Sequence, residues 1–310
     1  MRLGAVDIGT NTVRLLVADV TEGAIEDVER LVEIVGLGVG VDATGRFDPA
    51  RVETALTVLA AHGARARELG VERIGAVATS ATRDAEDGAV FLERASEALG
   101  HPVSVITGIE EAALSFRGAG RGLTPATSLV IDPGGGSTEF VLGRDAPEYS
   151  VSIDIGSVRL TERLLPERPA PADRVAAAAE EVAEMFGLVR LPSVPDRVIG
   201  VAGTFTSLAA IDLGLDAYDP VVVHGSTLSL DALDRLVAHL STLTVEDTAA
   251  IPSLDPRRAP VLLAGAVVAR EALRVSGLST TMVSEHDILD GTVLGLVRSR
   301  YRHLWVYRGV

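Results

Sequence analysis

Short apolar runs rich in β-branched residues alternate along the chain with longer stretches whose apolar positions recur at helical spacing. Residues 3–8, 13–18 and 129–132 are runs of the first kind, and residues 49–70 and 259–269 are stretches of the second kind. This alternation predicts an α/β fold. With 310 residues, 47% of them hydrophobic, the chain is long enough for one large domain or two ordinary ones.

Local signals mark the ends of several predicted helices. Asp48 suits the N-cap and Pro49 the first position of a helix that stops near Gly70. The stretch TGIE, with Thr107 and Glu110 three residues apart, fits a capping box at the start of another helix. The apolar stretch 259–269 is too short to span a bilayer and predicts a core helix.

One pattern occurs twice. GAVDIGTNTVRLLV at 4–17 and LVIDPGGGSTEFVLG at 129–143 both show a strand, an aspartate, a glycine-containing turn with hydroxyl residues, and a second strand. A Rossmann site would place its glycines before a helix, whereas here a β-branched run follows, which predicts hairpins. We expect an internal duplication whose two hairpin tips offer unpaired N–H groups to a phosphate chain across a cleft.

The charge balance argues against several classes of function. The net charge is −15, and all 28 cationic side chains are arginine. An acidic surface argues against general nucleic-acid binding, and a chain without lysine cannot form a P-loop. Without cysteine there is no disulfide, thiolate nucleophile or zinc–cysteine site. No signal peptide or membrane segment is evident, so we expect a cytoplasmic protein with no membrane partner.

Several motifs, in order, resemble the exopolyphosphatase / guanosine pentaphosphate phosphohydrolase (Ppx/GppA) family of the actin-like ATPase superfamily. They are VDIGTNTVRLLV, ATSATRDA, TGIEEAALSFRG, IDPGGGSTEFVLG, IGSVRLTE, GTFTSLAA and VSEHDILDG. The resemblance covers nearly the whole chain and implies two ribonuclease-H-like domains with a cleft between them. We place them at residues 1–124 and 125–289, with the final helix, near 290–310, as a candidate to complete the first domain.

Two positions depart from the pattern of that family. Pro133 stands where an aliphatic residue is usual and removes one N–H from the strand end. Gly36 stands where an arginine is frequent, which costs the cleft one cation. Both departures put affinity for long chains, or activity itself, in question.

The resemblance assigns residues to a divalent metal, Mg²⁺ or Mn²⁺, and to the phosphates. The metal carboxylates would be Asp7, Asp132 and Glu139; otherwise Asp132 caps its turn and Glu139 is solvated. The glycine triplet has no evident packing reason, which favours a phosphate beside it, although a tight hairpin would also need glycine. The residues expected to bind substrate are Gly9, Thr10, Asn11, Thr12, Arg14, Arg83, Gly134, Gly135, Gly136, Ser137, Thr138, Gly203 and Thr204.

Four of these substrate residues have a structural alternative. Arg14 could face the cleft or the outer side of its strand. Arg83, assigned by the resemblance, could instead form a surface ion pair with a neighbouring carboxylate. Gly203, with Thr204, could serve close packing of a helix on a strand rather than a ligand.

Glu110 and Glu111 are the candidate general bases. The capping box gives Glu110 a complete structural role, whereas Glu111 lies about 100° further round the helix and is freer to face the cleft. The family's catalytic glutamate also matches the second position. We therefore expect Glu111 to orient and deprotonate the attacking water, with Glu110 as the second candidate.

The expected activity is metal-dependent release of terminal orthophosphate from inorganic polyphosphate. Short chains should be favoured, because a long polyanion would lie on acidic surface. A guanosine pentaphosphate 5′-phosphohydrolase or a general nucleotide phosphatase would use the same loops. A non-enzymatic alternative is an actin-like nucleotide-switched module. The resemblance also makes a homodimer plausible.

Overall fold

Two mixed β-sheets form the framework of the molecule. The computed structural model describes residues 1–21 and 24–298. The strands are β1 Arg2–Ile8, β2 Thr12–Thr21, β3 Ala24–Ile34, β4 Arg73–Ala78, β5 Val103–Val105, β6 Ser128–Pro133, β7 Thr138–Gly143, β8 Pro147–Ile153, β9 Arg197–Gly200, β10 Thr227–Ser229 and β11 Thr280–Val283.

Helices fill the connections between the strands. They are α1 Val41–Thr44, α2 Pro49–Glu68, α3 Ser80–Asp84, α4 Gly88–Leu99, α5 Gly108–Ala119, α6 Ser157–Leu164, α7 Ala172–Phe186, α8 Ala202–Asp212, α9 Pro220–Val223, α10 Leu230–Ser241, α11 Val245–Ala249, α12 Ala259–Val275 and α13 Ile288–Arg298. A short 3₁₀ helix, Pro256–Arg258, precedes α12.

The two sheets repeat one topology. The first has the strand order β3-β2-β1-β4-β5, and the second has the order β10-β11-β9-β6-β7-β8. Read from the edge strand β8, the second sheet matches the first over five strands: two antiparallel hairpin partners and then two parallel neighbours. The duplication predicted from the two hairpin motifs is present in the backbone.

Each sheet has an apolar layer on both faces. Helices α2 and α4 cover one face of the first sheet, and α8, α10 and α12 contribute to the large core on one face of the second. The remaining faces are covered by exchanged helices. Helix α13, late in the chain, packs Leu289, Val293 and Leu296 on the first sheet, whereas α5 packs Ala112 and Phe116 on the second.

The two exchanged helices also cross each other at glycine. A Cβ built on Gly118 of α5 would lie 1.8 Å from the carbonyl oxygen of Asp287, and one on Gly291 of α13 would lie 2.0 Å from that of Leu114. Any side chain at these positions would push the helices apart. The crossing ties the halves together directly behind the cleft.

The local predictions at helix ends are confirmed. The Asp48 side chain accepts from two backbone N–H groups, Pro49 is the first residue of α2, and Gly70 has a φ of 72° just beyond its end. The reciprocal capping box of Thr107 and Glu110 opens α5. The predicted core helix is part of α12, and no described helix is long and apolar enough to cross a membrane.

The proposed domain limits, 1–124 and 125–289, stay predictions. Residues 288–298, at the start of the candidate closing segment, do pack on the first sheet through Leu289, Val293 and Leu296. Residues 299–310 lie outside the described part of the chain.

Candidate active site

The two hairpin tips are built alike. Asp7 stands one residue before the end of β1, and Asp132 stands at the same place in β6. In the first tip the N–H of Gly9 donates to the carbonyl of Thr12 at 2.9 Å, and in the second the N–H of Gly134 donates to that of Ser137 at 2.9 Å. The repeated sequence therefore gives two equivalent turns, each following a buried carboxylate.

The tips meet rather than stand apart. A Cβ built on Gly135 would lie 2.9 Å from Cβ of Thr10, and one built on Gly136 would lie 3.0 Å from Oγ1 of Thr10 and 2.5 Å from Oγ of Ser80. Neither glycine has a positive φ. These glycines are thus needed for space, because side chains of the opposite half occupy the positions that their own would fill.

That contact corrects one step of the sequence argument. We expected the glycine triplet to lack a packing reason and took that as a sign of a nearby phosphate. The structure supplies a packing reason at two of the three positions. The groups that support a bound phosphate are therefore the others that face the cleft.

The first tip carries a charge pair. Arg14 donates to Oδ2 of Asp7 through Nη2 at 2.7 Å and through Nε at 3.0 Å, and it also pairs with Asp287 from the loop before α13. Oδ1 of Asp7 is buried and has no hydrogen-bond partner. Burial raises the pKa of Asp7, and the neighbouring arginine opposes that rise. Arg14 thus lines the cleft, one of the two orientations considered, while held by two carboxylates.

The second tip carries a carboxylate without a cation in contact. Ser115 of α5 donates through Oγ to Oδ2 of Asp132 at 2.5 Å. Burial raises the pKa of Asp132 to about 6, against the opposing effects of the serine hydroxyl and of the more distant Arg14 charge; nearby Asp287 and Asp7 raise it further. Keeping Asp132 ionised in this buried position therefore costs free energy, and a bound cation would reduce that cost.

Glu111 stands in the wall of the same cleft. Its Oε2 accepts from Nη1 of Arg83 at 2.9 Å, and the same nitrogen donates to the carbonyl of Ile106 at 2.8 Å. Burial raises the pKa of Glu111 to about 7, although Arg83 lowers it; Asp132 and Asp7 add to the rise. A carboxylate with a pKa near neutrality is suited to accept a proton from water.

Glu110 faces away from this arrangement. Its Oε2 accepts from the N–H of Thr107 at 2.8 Å and from the hydroxyl of the same residue at 2.9 Å. It does not line the cleft. The 100° separation on α5 thus places the two glutamates as expected, one in the cap and one in the cleft wall.

Three further predicted residues lie behind the cleft surface. Arg83 contacts Glu111 instead of facing the cavity, and among the described residues it forms no ion pair with Asp84 or Glu86, the neighbouring carboxylates of the alternative. Thr138 donates to the carbonyl of Ile155 at 2.6 Å, and Glu139 accepts from Ser137 and Ser152 at 2.8 and 2.7 Å. Glu139 is 1% exposed rather than solvated, and burial raises its pKa well above the ordinary value.

The remaining predicted residues come together around one cleft of ≈ 810 Å³, its open side included. The cleft has both hairpin tips, the start of α8 and the start of α12 as walls. The predicted residues that line it are Asp7, Gly9, Thr10, Asn11, Thr12, Arg14, Glu111, Asp132, Gly134, Gly135, Gly136, Ser137, Gly203 and Thr204.

The start of α8 is an open anion-binding position. The helix has no side-chain N-cap, and Ala202, its first residue, has a φ of 64° and lines the cleft with Gly203. Unpaired N–H groups at a helix start favour an anion. A Cβ on Gly203 would lie 2.0 Å from Nη1 of Arg258, so glycine at this position admits a guanidinium to the cleft wall.

Sequence reasoning missed Arg258, Ser115 and Asp287. Arg258 forms no ion pair within residues 1–21 and 24–298 and contacts Gly203 from far along the chain. Ser115 lies four residues after Glu111 on the same helix face, a spacing that could have revealed it. Asp287 gave no local signal, because its pairing with Arg14 depends on how α13 returns to the first sheet.

The carboxylates of the cleft suit a metal ion that keeps several of its waters, but not one that is held directly by three side chains. No three acidic or histidine side chains in the described ranges are grouped closely enough to hold an ion directly. Asp7, with its unpartnered oxygen, and Asp132 nevertheless both line the cleft. This donor set suits Mg²⁺, which keeps several of its waters and takes one or two carboxylates. Glu139 is too deeply buried to face such an ion.

Comparisons with known proteins agree with the geometry. The model of the Ppx/GppA phosphatase family matches residues 16–299. Exopolyphosphatase 2 of Mycobacterium tuberculosis (strain ATCC 25618 / H37Rv) is 42% identical over 95% of this chain and 98% of its own. A guanosine-5′-triphosphate,3′-diphosphate pyrophosphatase of Vibrio vulnificus is 28% identical over 96% of this chain and 63% of its own.

Among solved structures, a Ppx/GppA family member from Aquifex aeolicus superposes with a TM-score of 0.83 at 30% identity, covering 98% of this chain and 99% of that one. The predicted fold, two ribonuclease-H-like domains of the actin-like ATPase type, is therefore confirmed. Because the family model spans most of the chain and a relative of equal length exceeds 40% identity, the protein belongs to the Ppx/GppA phosphatase family.

Proposed function

We propose that the protein is a metal-dependent exopolyphosphatase that releases terminal orthophosphate from inorganic polyphosphate and prefers short chains. The observation that carries the proposal is the position of Glu111. Its carboxylate, with a pKa raised to about 7, shares a cleft wall with unpaired backbone N–H groups, hydroxyls and two arginines. A base placed among groups that bind anions is what hydrolysis of a phosphoanhydride requires.

Different residues of the cleft would bind different parts of the substrate. The N–H groups that open α8 and the guanidinium of Arg258 lie on one wall and would hold the phosphoryl oxygens. The hydroxyls of Thr10 and Ser137 and the amide of Asn11 line the opposing tips and would orient the end of the chain. Together they fix the terminal phosphorus within reach of Glu111.

The proposed reaction is displacement of the shortened chain by water at the terminal phosphorus. The water oxygen forms a bond to the terminal phosphorus, and the bridging P–O bond breaks in line with it. Glu111 takes the proton from the water, and the shortened chain leaves on the bridging oxygen. Arg83 holds the carboxylate in place through its 2.9 Å contact, so the base is oriented before substrate arrives.

Mg²⁺ or Mn²⁺ would be held by Asp7 and Asp132, through waters, with Glu139 behind them. When bound, such an ion neutralises charge on the phosphates and keeps the nearby carboxylates ionised. The unpartnered oxygen of Asp7 and the raised pKa of Asp132 support this assignment. Metal chelation should therefore abolish phosphate release, and adding Mg²⁺ back should restore it.

The preference for short chains follows from charge. The protein carries −15, and the screening length at physiological salt is about 8 Å. A chain end inside the cleft meets arginines, whereas the rest of a long chain would lie against acidic surface. Initial rates on tripolyphosphate and on chains of hundreds of units test this; faster turnover of the long chains would contradict it.

A guanosine pentaphosphate 5′-phosphohydrolase is the second candidate, and one cavity favours it. A space of ≈ 1350 Å³ adjoins the cleft and shares Arg14, Gly203 and Arg258 with it. Its other walls include Tyr218, Pro220, Pro252 and Leu254. A nucleoside could lie there with its 5′-phosphates at Glu111, and the name of the Vibrio vulnificus relative accords with such a substrate.

Phosphate release from tripolyphosphate, long-chain polyphosphate and guanosine pentaphosphate discriminates between these candidates. Each substrate is assayed with the wild type and with Glu111→Gln as the matched inactive control. We expect the highest kcat/KM on tripolyphosphate and release slower by about a hundredfold or more with the variant. Release only from the guanosine nucleotide would favour the second candidate. A homodimer and a cytoplasmic location remain parts of the proposal.

A further inference from the structure

An arginine-lined groove lies at the opposite end of the second sheet from the cleft. It has ≈ 950 Å³ of space, open side included, and its walls come from the end of α5, the loop before β6 and the β7–β8 turn. Strand β6 runs from this groove, which it lines with Ser128 and Val130, to the cleft, which it lines with Asp132. The groove and the cleft share no residue.

The groove carries a local excess of positive charge on an acidic protein. Four arginines line it, against one carboxylate, that of Asp145. The four are Arg117, Arg121, Arg144 and Arg197.

Two of the four have no carboxylate partner in the described ranges. Arg197 donates to the hydroxyl of Ser128 at 2.8 Å and to the carbonyl of Thr124 at 2.8 Å, which fixes its guanidinium with its charge uncompensated. Arg144 is exposed in the β7–β8 turn and makes no ion pair. Two uncompensated guanidiniums facing one space favour an anion with several oxygens.

The groove is preorganised on its other side. Arg121 is held by Asp27 at 3.2 Å and by the buried Asp290 at 2.7 Å. These pairs attach the wall at the end of α5 to the first sheet and to α13. A ligand would therefore meet a formed site and would lose little binding energy in ordering it.

Apolar groups lie among the arginines. Leu123 and Leu294 are partly exposed, and Pro125 and Pro147 are exposed at the rim. Inorganic phosphate would leave this surface uncovered, whereas a flat organic group would cover it.

We propose that this groove is a second ligand site, which binds a small organic phosphate of the nucleotide type through Arg144 and Arg197. This second-site proposal does not depend on the proposed catalytic activity. The phosphates would contact the two uncompensated guanidiniums, and the base or ring would cover the leucine and proline surface.

Hydrogen–deuterium exchange with ADP as the probe tests this, because it reports position as well as binding. ADP should protect residues 120–127 and 143–147, which form the groove walls, independently of any protection at the cleft loops. Pyrophosphate should need at least a tenfold higher concentration for the same protection, and adenosine should give none. Equal potency of pyrophosphate and ADP would overturn the organic part of the proposal.

Variants assign the effect to the arginines. Arg144→Ala should weaken protection of the groove walls roughly tenfold, and Arg144→Ala with Arg197→Ala should abolish it, since a charged hydrogen bond contributes about that factor. Arg174→Ala removes an exposed arginine of α7, on the other face of the sheet, and should change nothing.

The single variant keeps the test valid if the double variant proves unstable, because Arg144 has no structural contact to lose. Protection by ADP that persists unchanged in Arg144→Ala, or no protection of the groove walls by ADP at millimolar concentration, would overturn the site.

Discussion

The two hairpin tips have the same backbone but opposite electrostatic surroundings. At the first tip Asp7 is paired with Arg14, which also binds Asp287. At the second tip the side chain of Asp132 has, among the described residues, only the hydroxyl of Ser115 as a hydrogen-bond partner. The duplication supplied two turns with the same hydrogen bond, but the residue opposite the aspartate in the second strand differs: Arg14 of β2 faces Asp7, whereas Glu139 of β7 faces Asp132.

This difference explains why the site is asymmetric although the fold is repeated. Helix α5 belongs to the first half by sequence but packs on the second sheet, and it brings Glu111 and Ser115 to the second tip. Because α5 and α13 each pack on the sheet of the other half, the two tips are surrounded by different side chains. The second tip receives Glu111, the proposed base, and the first tip receives Asp287, which pairs with Arg14.

The largest effect is expected from removing the base on the second side. Glu111→Gln should lower kcat by about 10² to 10⁴-fold, because an amide cannot accept the proton of the attacking water. Substrate affinity, measured by equilibrium binding of tripolyphosphate, should change little. A variant that retains more than a tenth of the wild-type kcat would show that the second tip does not carry the base.

Metal dependence should differ between the two aspartates. Asp132→Asn should raise the Mg²⁺ concentration for half-maximal rate roughly tenfold or more, since no cationic side chain of the described residues contacts Asp132 directly. Asp7→Asn should have a smaller effect, because Arg14 already neutralises much of that carboxylate. Titrations of rate with Mg²⁺ for both variants measure the difference; equal shifts would mean that the tips contribute alike.

The sequence could predict the parts of this arrangement that depend on neighbouring residues. The two hairpins, the cap at Asp48 and the capping box at Thr107 follow from local patterns. The same box, with the helical repeat, places Glu111 toward the cleft. These inferences needed only positions within a few residues of one another.

The remaining parts depend on contacts between distant segments. Arg83 reaches Glu111 across 28 residues, and Arg258 fills the space that Gly203 leaves. The glycines of the second tip owe their small size to Thr10 of the first. No local pattern encodes which segment will occupy such a space, so the sequence led us to assign a phosphate where a side chain packs.

The pH dependence gives a smaller but direct test of the base. Glu111 works as a base only when deprotonated, and its pKa is raised to about 7. Activity should therefore rise with pH to a plateau, and because a bound Mg²⁺ favours the ionised carboxylate, the midpoint of the rise should lie at or below about pH 7. Arg83→Gln removes the group that lowers this pKa and should move the rise to higher pH. A profile of log(kcat/KM) for both proteins, with Mg²⁺ saturating at each pH, measures the shift, and superimposable profiles would contradict the role of Arg83.

The smallest effect on rate is expected at Glu110, the residue beside the base. Its carboxylate closes the capping box of α5 and does not face the cleft, so Glu110→Ala should cost about 0.5–1 kcal/mol of the free energy of unfolding. Because α5 packs on the second sheet over its whole length, losing one cap should not displace Glu111, and kcat should stay within about twofold. Urea unfolding and steady-state rates, measured on the same preparation, separate the two properties. A variant with wild-type stability and strongly reduced kcat would reverse the assignment of the two glutamates.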